Sequence, residues 1–314
     1  TALAVAALLA LTSVTSSHAA PIGYRVEFVN GFGVHVVQVN LGSPSVKVTP
    51  VLSRRYPGGA EPMSTICARE KPVAAITGTF FSKTSKLPVG DIMIDGRLVH
   101  FGGMGSALAI TPGNRASFHR IPWGRKQDWG PYEMVMAAGP MLLQDGRMAL
   151  APAHEKFHDP HVLGRASRTA VGLTAKNKLL MVATRESVSL WELARIMKDL
   201  GCVQAINLDG GSSTGLYYRG STIIRPSRSL VNVLAVYTDA DPDIRTCQRE
   251  CIAKREGVES YRTARAHEAY MQAQTPLAKG KLDEALKLLD RATELDPDNA
   301  SYQVRLAETL ERTR

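Results

Sequence analysis

What is scarce in this chain narrows its chemistry first. Only four cysteines occur in 314 residues: Cys67, Cys202, Cys247 and Cys251. Cys247 and Cys251 are four apart, but the two further ligands that a zinc site needs nearby are missing. The cysteines therefore read as structural, with three disulfide pairings open and simple burial as the alternative for Cys67 and Cys202. Lysine and arginine never form a run. Arg54-Arg55 and Arg125-Lys126 are the nearest approach, which argues against a nucleic-acid-binding arm. Long apolar runs are lacking too. Thr1–Val14 is shorter than the roughly 20 residues of a spanning helix, so no integral membrane segment is expected in the mature chain. Disorder is excluded in turn, because 44% of the residues are hydrophobic and can fill a core.

That one apolar stretch runs into Ser16-Ser17-His18-Ala19-Ala20-Pro21, where Ser17 and Ala19 suit a signal peptidase. The pattern predicts a signal peptide over residues 1–20 and a secreted or periplasmic protein. Neither Met nor a basic region precedes it, so the true start is expected upstream. The formal charge is +9, from 38 Lys+Arg against 29 Asp+Glu. Asp241–Arg314 holds 13 basic and 14 acidic residues, leaving 25 against 15 ahead of it. The basic excess thus belongs to the front of the chain and fits solubility, envelope association or an anionic substrate.

Beyond Pro21 the pattern is mostly strand. Val34–Val39 and Val46–Val48 read as half-buried strands, and Asp95-Gly96 and Asp145-Gly146 as hairpin turns. Ser189 with Glu192 forms a capping box ahead of Leu190, Leu193, Ile196, Met197 and Leu200, with Gly201 placed to end the helix. A buried strand, Val203–Leu208, then meets Asp209-Gly210-Gly211-Ser212-Ser213. There the glycines can expose backbone N–H groups, and Asp209 projects from the strand end. From Ala264 helix formers dominate, and Gly280, Leu282, Ala285, Leu289, Ala292 and Pro297 match half of a tetratricopeptide repeat, although Pro276 falls where an aromatic is usual. About one and a half units cannot form a free solenoid, so the tail is expected to dock, pair with another chain or open a longer array. The divisions are residues 21–240 as the main domain, 241–264 as linker and 265–314 as the repeat-like helical segment.

Five segments then resemble the phosphodiester glycosidase domain family, which includes the enzyme that uncovers mannose 6-phosphate. They are Ile76–Phe81 followed by Pro88–Asp91, Ala138–Leu143, Arg168–Leu173, Ala205–Ser213, and Arg228 before Val231–Leu234. The resemblance covers about residues 70–238. It implies an α+β, sheet-rich domain that hydrolyses a sugar-1-phosphodiester, of the N-acetylglucosamine type, at the glycosidic bond. Within it Asp209, Arg168 and Asp91 are the candidate catalytic residues, Asp91 as the second carboxylate. Thr77, Gly78, Gly90, Gly210, Gly211, Ser212 and Arg228 are the candidate substrate-binding residues. Arg168 and Arg228 would fork onto phosphate oxygens. No cofactor is implied, and metal dependence stays open. His154, His158 and His161 form a loop cluster without an accompanying carboxylate pattern, which favours a solvated loop over a metal site.

Two departures stand out. Thr77 replaces the family's usual asparagine, and Met181–Arg185, with Thr184, carries no aspartate where one often follows. They point to a changed substrate or to lost activity. The leading reading is an exported hydrolase acting in envelope or exopolysaccharide metabolism. Its rival is a degenerate domain that binds an anionic glycan while the helical tail recruits a protein partner.

Overall fold

The computed structural model describes residues 20–238, 258–296 and 299–313. Residues 1–19 of the expected signal peptide, 241–257 of the expected linker, Cys247, Cys251 and Pro297 lie outside the described residues. The fold is α+β, and the strand pairings among the described residues are antiparallel.

Three sheets make up the main domain. The largest runs, in spatial order, β1 (Ile22–Val29), β2 (Phe32–Asn40), β13 (Lys178–Val188), β12 (Ala166–Thr174), β14 (Cys202–Asn207), β10 (Met141–Gln144) and β11 (Arg147–Met148). A second runs β16 (Ser221–Ile224), β15 (Leu216–Tyr218), β4 (Ala74–Thr77), β17 (Asn232–Thr238) and β3 (Val46–Leu52). The third runs β6 (Arg97–His100), β5 (Ile92–Ile94), β9 (Met134–Ala138), β7 (Ser106–Ile110) and β8 (Ala116–Arg120).

The two-residue alternation of strand side chains decides how these sheets stack. Val37 and Val39 of β2, with Val171, Met181 and Ile206, enter a central core that also takes Ile76, Val236, Leu108 and Met136 from the other sheets. Their sequence neighbours Val34, Val36, Ala170, Leu180 and Val182 point the opposite way, onto Leu193, Ile196 and Met197 of α3 (Leu190–Asp199). α3 starts where expected: Ser189 accepts from the Glu192 N–H, and Glu192 closes the box on the Ser189 N–H. On the second sheet α1 (Met63–Glu70) covers the outer face through Met63, Ile66 and Cys67. Cys67 and Cys202 are buried, unbridged thiols, each pushed up to about 12 by burial. Asp95-Gly96 and Asp145-Gly146 take positive φ and close β5–β6 and β10–β11 as two-residue hairpins.

A short α2 (Pro160–Leu163) precedes β12. The tail forms α4 (Val258–Ala278), α5 (Leu282–Leu295) and α6 (Ala300–Glu311). α4 begins inside the stretch read as linker and holds Pro276 in its last turn. Ala285, Leu289 and Ala292 of α5 are buried, and Ala292 joins Ala266, Ala269 and Tyr302 in a small core of the tail. No described helix is long and apolar enough to cross a membrane.

Of the fates open to the tail, docking is the one observed. The His267 ring of α4 lies 5.3 Å from that of His100 on β6. His100 Nε2 is 2.7 Å from the Pro88 carbonyl, which can only accept, so the ring hydrogen sits there and Nδ1 faces the Tyr56 hydroxyl at 2.9 Å, whose one hydrogen is shared with the Val99 carbonyl at 3.1 Å. His267 Nδ1 faces the Tyr302 hydroxyl at 3.2 Å. Burial pulls the His100 pKa down to about 3 and that of His267 down to about 4.

Candidate active site

Two neighbouring strand ends bring the most specific motifs together. β12 and β14 pair with Ala170 opposite Asn207. Carried two residues on, that register sets Arg168 opposite Asp209 on one face. The Leu208 N–H donates to the Thr169 carbonyl at 2.9 Å, and the Thr169 hydroxyl donates to the Asp209 carbonyl at 2.6 Å. Gly211–Ser213 then forms a single tight turn. Over it opens a cleft of about 580 Å³, whose wall includes Arg168, Asp209, Gly210, Gly211, Ser212 and Arg228. Six of the ten candidate residues therefore meet in one place.

Their electrostatics are uneven. Arg168 is 1% exposed, and its guanidinium donates to the Val188 and Gly164 carbonyls. Among the described residues it has no carboxylate partner, and burial lowers its pKa to about 10, which leaves it charged at neutral pH. A buried cation without a counter-charge is costly, and an incoming anion offsets that cost. Asp209 is 8% exposed, and burial raises its pKa to about 6 against the opposing pull of the Ser213 side chain, the Arg228 charge and the Gly210 N–H. Arg228 stacks over the Phe81 ring with its guanidinium carbon 4.4 Å from the ring centre.

The wall also contains groups that sequence reasoning left out. Phe80 and Phe157 contribute rings 5.7 Å apart, and Lys83, Lys156 and Arg165 add cations. Arg165 is paired with Glu192 at 2.6 Å. His158 and His161 line the cleft as well, and the His161 side chain is 84% exposed, so its loop is solvated and part of the rim at once. Among the described residues no group of three or more His, Cys, Asp or Glu is arranged to hold a metal ion.

Four candidates lie outside the cleft wall. Asp91, expected as the second carboxylate, is fully buried. One oxygen accepts the Gly102 and Gly103 N–H groups at 2.9 and 2.8 Å, and the other accepts Trp129 Nε1 at 2.9 Å. With its acceptors committed, it ties the loop after β6 to the segment before β9. Thr77 turns its hydroxyl to the Ser213 carbonyl at 2.5 Å, which steadies the turn beneath the cleft. Gly78 and Gly90 are needed for close approach. A Cβ at Gly78 would lie 1.8 Å from Asn232 Oδ1, and one at Gly90 2.1 Å from the Ala137 carbonyl oxygen. Thr184, the other departure, donates to the Gly33 carbonyl at 2.8 Å and also lies off the wall.

With this geometry in view, the relationships of the chain are informative. A phosphodiester glycosidase family profile matches residues 70–237, and a TPR repeat profile matches residues 277–313. Among solved structures, a hypothetical protein from Synechocystis is 21% identical with a TM-score of 0.61, covering 69% of this chain and 62% of that one. The present chain thus spans less than two thirds of the Synechocystis protein. The catalytic domain of zebrafish N-acetylglucosamine-1-phosphodiester alpha-N-acetylglucosaminidase, auto-inhibited by its pro-peptide, is 22% identical with a TM-score of 0.53, covering 69% of this chain and 82% of that one. At such identities the likeness is one of fold. No curated protein sequence matches the chain.

Proposed function

We propose that this chain, which belongs to the phosphodiester glycosidase family, cleaves the glycosidic bond of a sugar-1-phosphodiester and releases the sugar and a phosphomonoester. The observation that carries the reading is the buried Arg168, which has no carboxylate partner among the described residues, set opposite the one deeply buried carboxylate of the cleft wall, Asp209. Arg168 and Arg228 receive the phosphate, and the Gly210–Ser212 turn supplies further N–H and hydroxyl donors. Asp209 serves as base. Water attacks the anomeric carbon and yields its proton to Asp209, while the bond from that carbon to the phosphate oxygen breaks and its electron pair leaves with the phosphate. A phosphate is stable once it leaves, so cationic stabilisation substitutes for a strong general acid. A carboxylate titrating near 6 is a stronger base than an ordinary aspartate yet remains ionised at neutral pH.

N-acetylglucosamine is the sugar we favour, supported by the fold likeness to the zebrafish enzyme. We place the reaction outside the cytoplasm, on envelope or exopolysaccharide material, from the signal-like residues 1–20; fractionation of cells expressing the full-length precursor tests the location. The assay is incubation with an N-acetylglucosamine-1-phosphodiester, following sugar and phosphate separately. Free sugar should appear first, and Asp209→Asn should lower its release on the order of 10²–10⁴-fold. Inorganic phosphate as the first product would refute the bond assignment. The TPR match at residues 277–313 supports a second reading, a glycan-binding protein that recruits a partner through its tail. Tight binding of the diester without turnover would favour it.

A further inference from the structure

Next to the cleft lies a second cavity of about 240 Å³, and the two share Arg228 as a wall residue. Its other polar wall groups are Arg225, Ser64, Thr222, Ser227 and Ser229, with no carboxylate among the residues that line it. Arg225 is exposed, and among the described residues it has no ion-pair or hydrogen-bond partner. The cavity is therefore lined by two arginines and four hydroxyl residues, of which Ser227 donates to the Ser212 carbonyl at 3.3 Å, a donor-rich lining that favours an anion.

Its walls are held by contacts of their own. One is the start of α1 and the other is the loop 225–229. Immediately beside them Glu61 and Leu230 exchange backbone hydrogen bonds at 3.0 and 2.9 Å. Pro226 and Met63 both pack onto Gly215, where a Cβ would stand 2.5 Å from the proline ring and 2.7 Å from the methionine sulfur. The loop is fastened to the main cleft as well: the Ser227 N–H donates to the carbonyl of Ser212, a residue of the catalytic turn, at 2.9 Å. The second cavity thus holds a fixed relation to the first, with Arg228 between them.

We propose that this cavity is a subsite for a second anionic group, a phosphate or carboxylate carried on the leaving-group side of the diester, and that Arg225 selects substrates bearing it. The proposal rests on the glycosidase reading of the main cleft. It refines the substrate from an isolated diester to a glycan or glycolipid chain with successive negative charges. It also explains the donor surplus, since Arg168 and Arg228 already suffice for a single phosphate.

Two synthetic N-acetylglucosamine-1-phosphodiesters test it, one with a neutral alkyl leaving group and one whose leaving group ends in a phosphate. Their affinities for the full chain are measured by calorimetry alongside turnover, with inorganic phosphate titrated separately. The wild type should bind the phosphate-bearing diester about tenfold tighter than the neutral one, the increment expected of one added charge-assisted contact. Arg225→Ala should erase that difference while its affinity for the neutral diester stays near the wild-type value. Equal affinities in the wild type, or an Arg225→Ala variant that weakens both diesters alike, would overturn the subsite. Inorganic phosphate that competes only with the phosphate-bearing diester supports it, whereas phosphate that competes equally with both places the anion in the main cleft and counts against it. If neither diester is hydrolysed, the cleavage reading fails, while the affinity comparison still decides the subsite.

Discussion

Asp91 and Asp209 are both carboxylates buried in the same domain, and each stands beside glycines in the sequence. Burial raises the pKa of both. They differ in what meets the oxygens. Asp91 accepts from two backbone N–H groups and an indole, all fixed parts of the fold. Asp209 is also met by the Ser213 side chain and the Gly210 N–H, but it stands at the wall of an open cleft, opposite an arginine that lacks a counter-charge among the described residues. A buried acid whose acceptors are filled by the protein holds structure together. One that also faces a cavity keeps acceptor capacity for something that arrives. Burial and a shifted pKa alone do not separate the two cases.

The contrast makes opposite forecasts for the two positions. The largest effect is on stability and activity taken together. Asp91→Ala strands three buried donors and should cost about 3 kcal/mol or more in urea unfolding. Turnover per folded molecule should hold close to wild type. Asp209→Asn should do the reverse: activity falls sharply, while stability at pH 8 rises by up to roughly 3 kcal/mol, because an ionised group held against its environment is gone. A destabilised Asp209→Asn protein would break the comparison.

A middle-sized effect lies in the pH dependence. The Asp209 pKa is raised on folding to about 6, so its contribution to stability is present below about 4 and is lost as pH rises through 6. His100 and His267 are depressed to about 3 and 4, so their contribution is present above about 6.5 and is lost as pH falls. Between pH 4 and 6 the two regions oppose each other. Asp209→Asn should unmask a stability that climbs more steeply with pH over that window. The wild-type kcat/KM should climb through about pH 6 to a plateau, following the base form of Asp209. The smallest effect concerns the tail. His267→Ala should loosen α4 by about 1–2 kcal/mol in hydrogen exchange and leave that limb of the pH–rate profile where it was.

Much of this was legible in the residues, and unevenly so. The capping box at Ser189, the Asp-Gly hairpins and the alternation in β2 are local signals, and local signals survive folding unchanged. Asp209 with its glycines and Arg168 were legible because two separate motifs end on neighbouring strands. Asp91 lies off the cleft wall because its partners Gly102, Gly103 and Trp129 arrive from later segments, and nothing near Asp91 in the sequence announces them. Lys83, Lys156 and Arg165 look like any surface cations until the chain places them around one cleft. Thr77 looked like a change in substrate contact, but its hydroxyl is spent on the Ser213 carbonyl.

The ring contact between His267 and His100 bears on how the tail works. His100 also holds Pro88, which bridges to Phe81 at the edge of the cleft. A helical module on a slack tether raises the local concentration of its cargo in all directions, and tether length sets the gain. A module seated through a ring contact on the domain behaves differently, since its outer face keeps one bearing toward the cleft. Under the proposed reading in which the tail recruits a glycan-bearing partner, gains in effective molarity would then depend on the angle at which that partner holds its glycan.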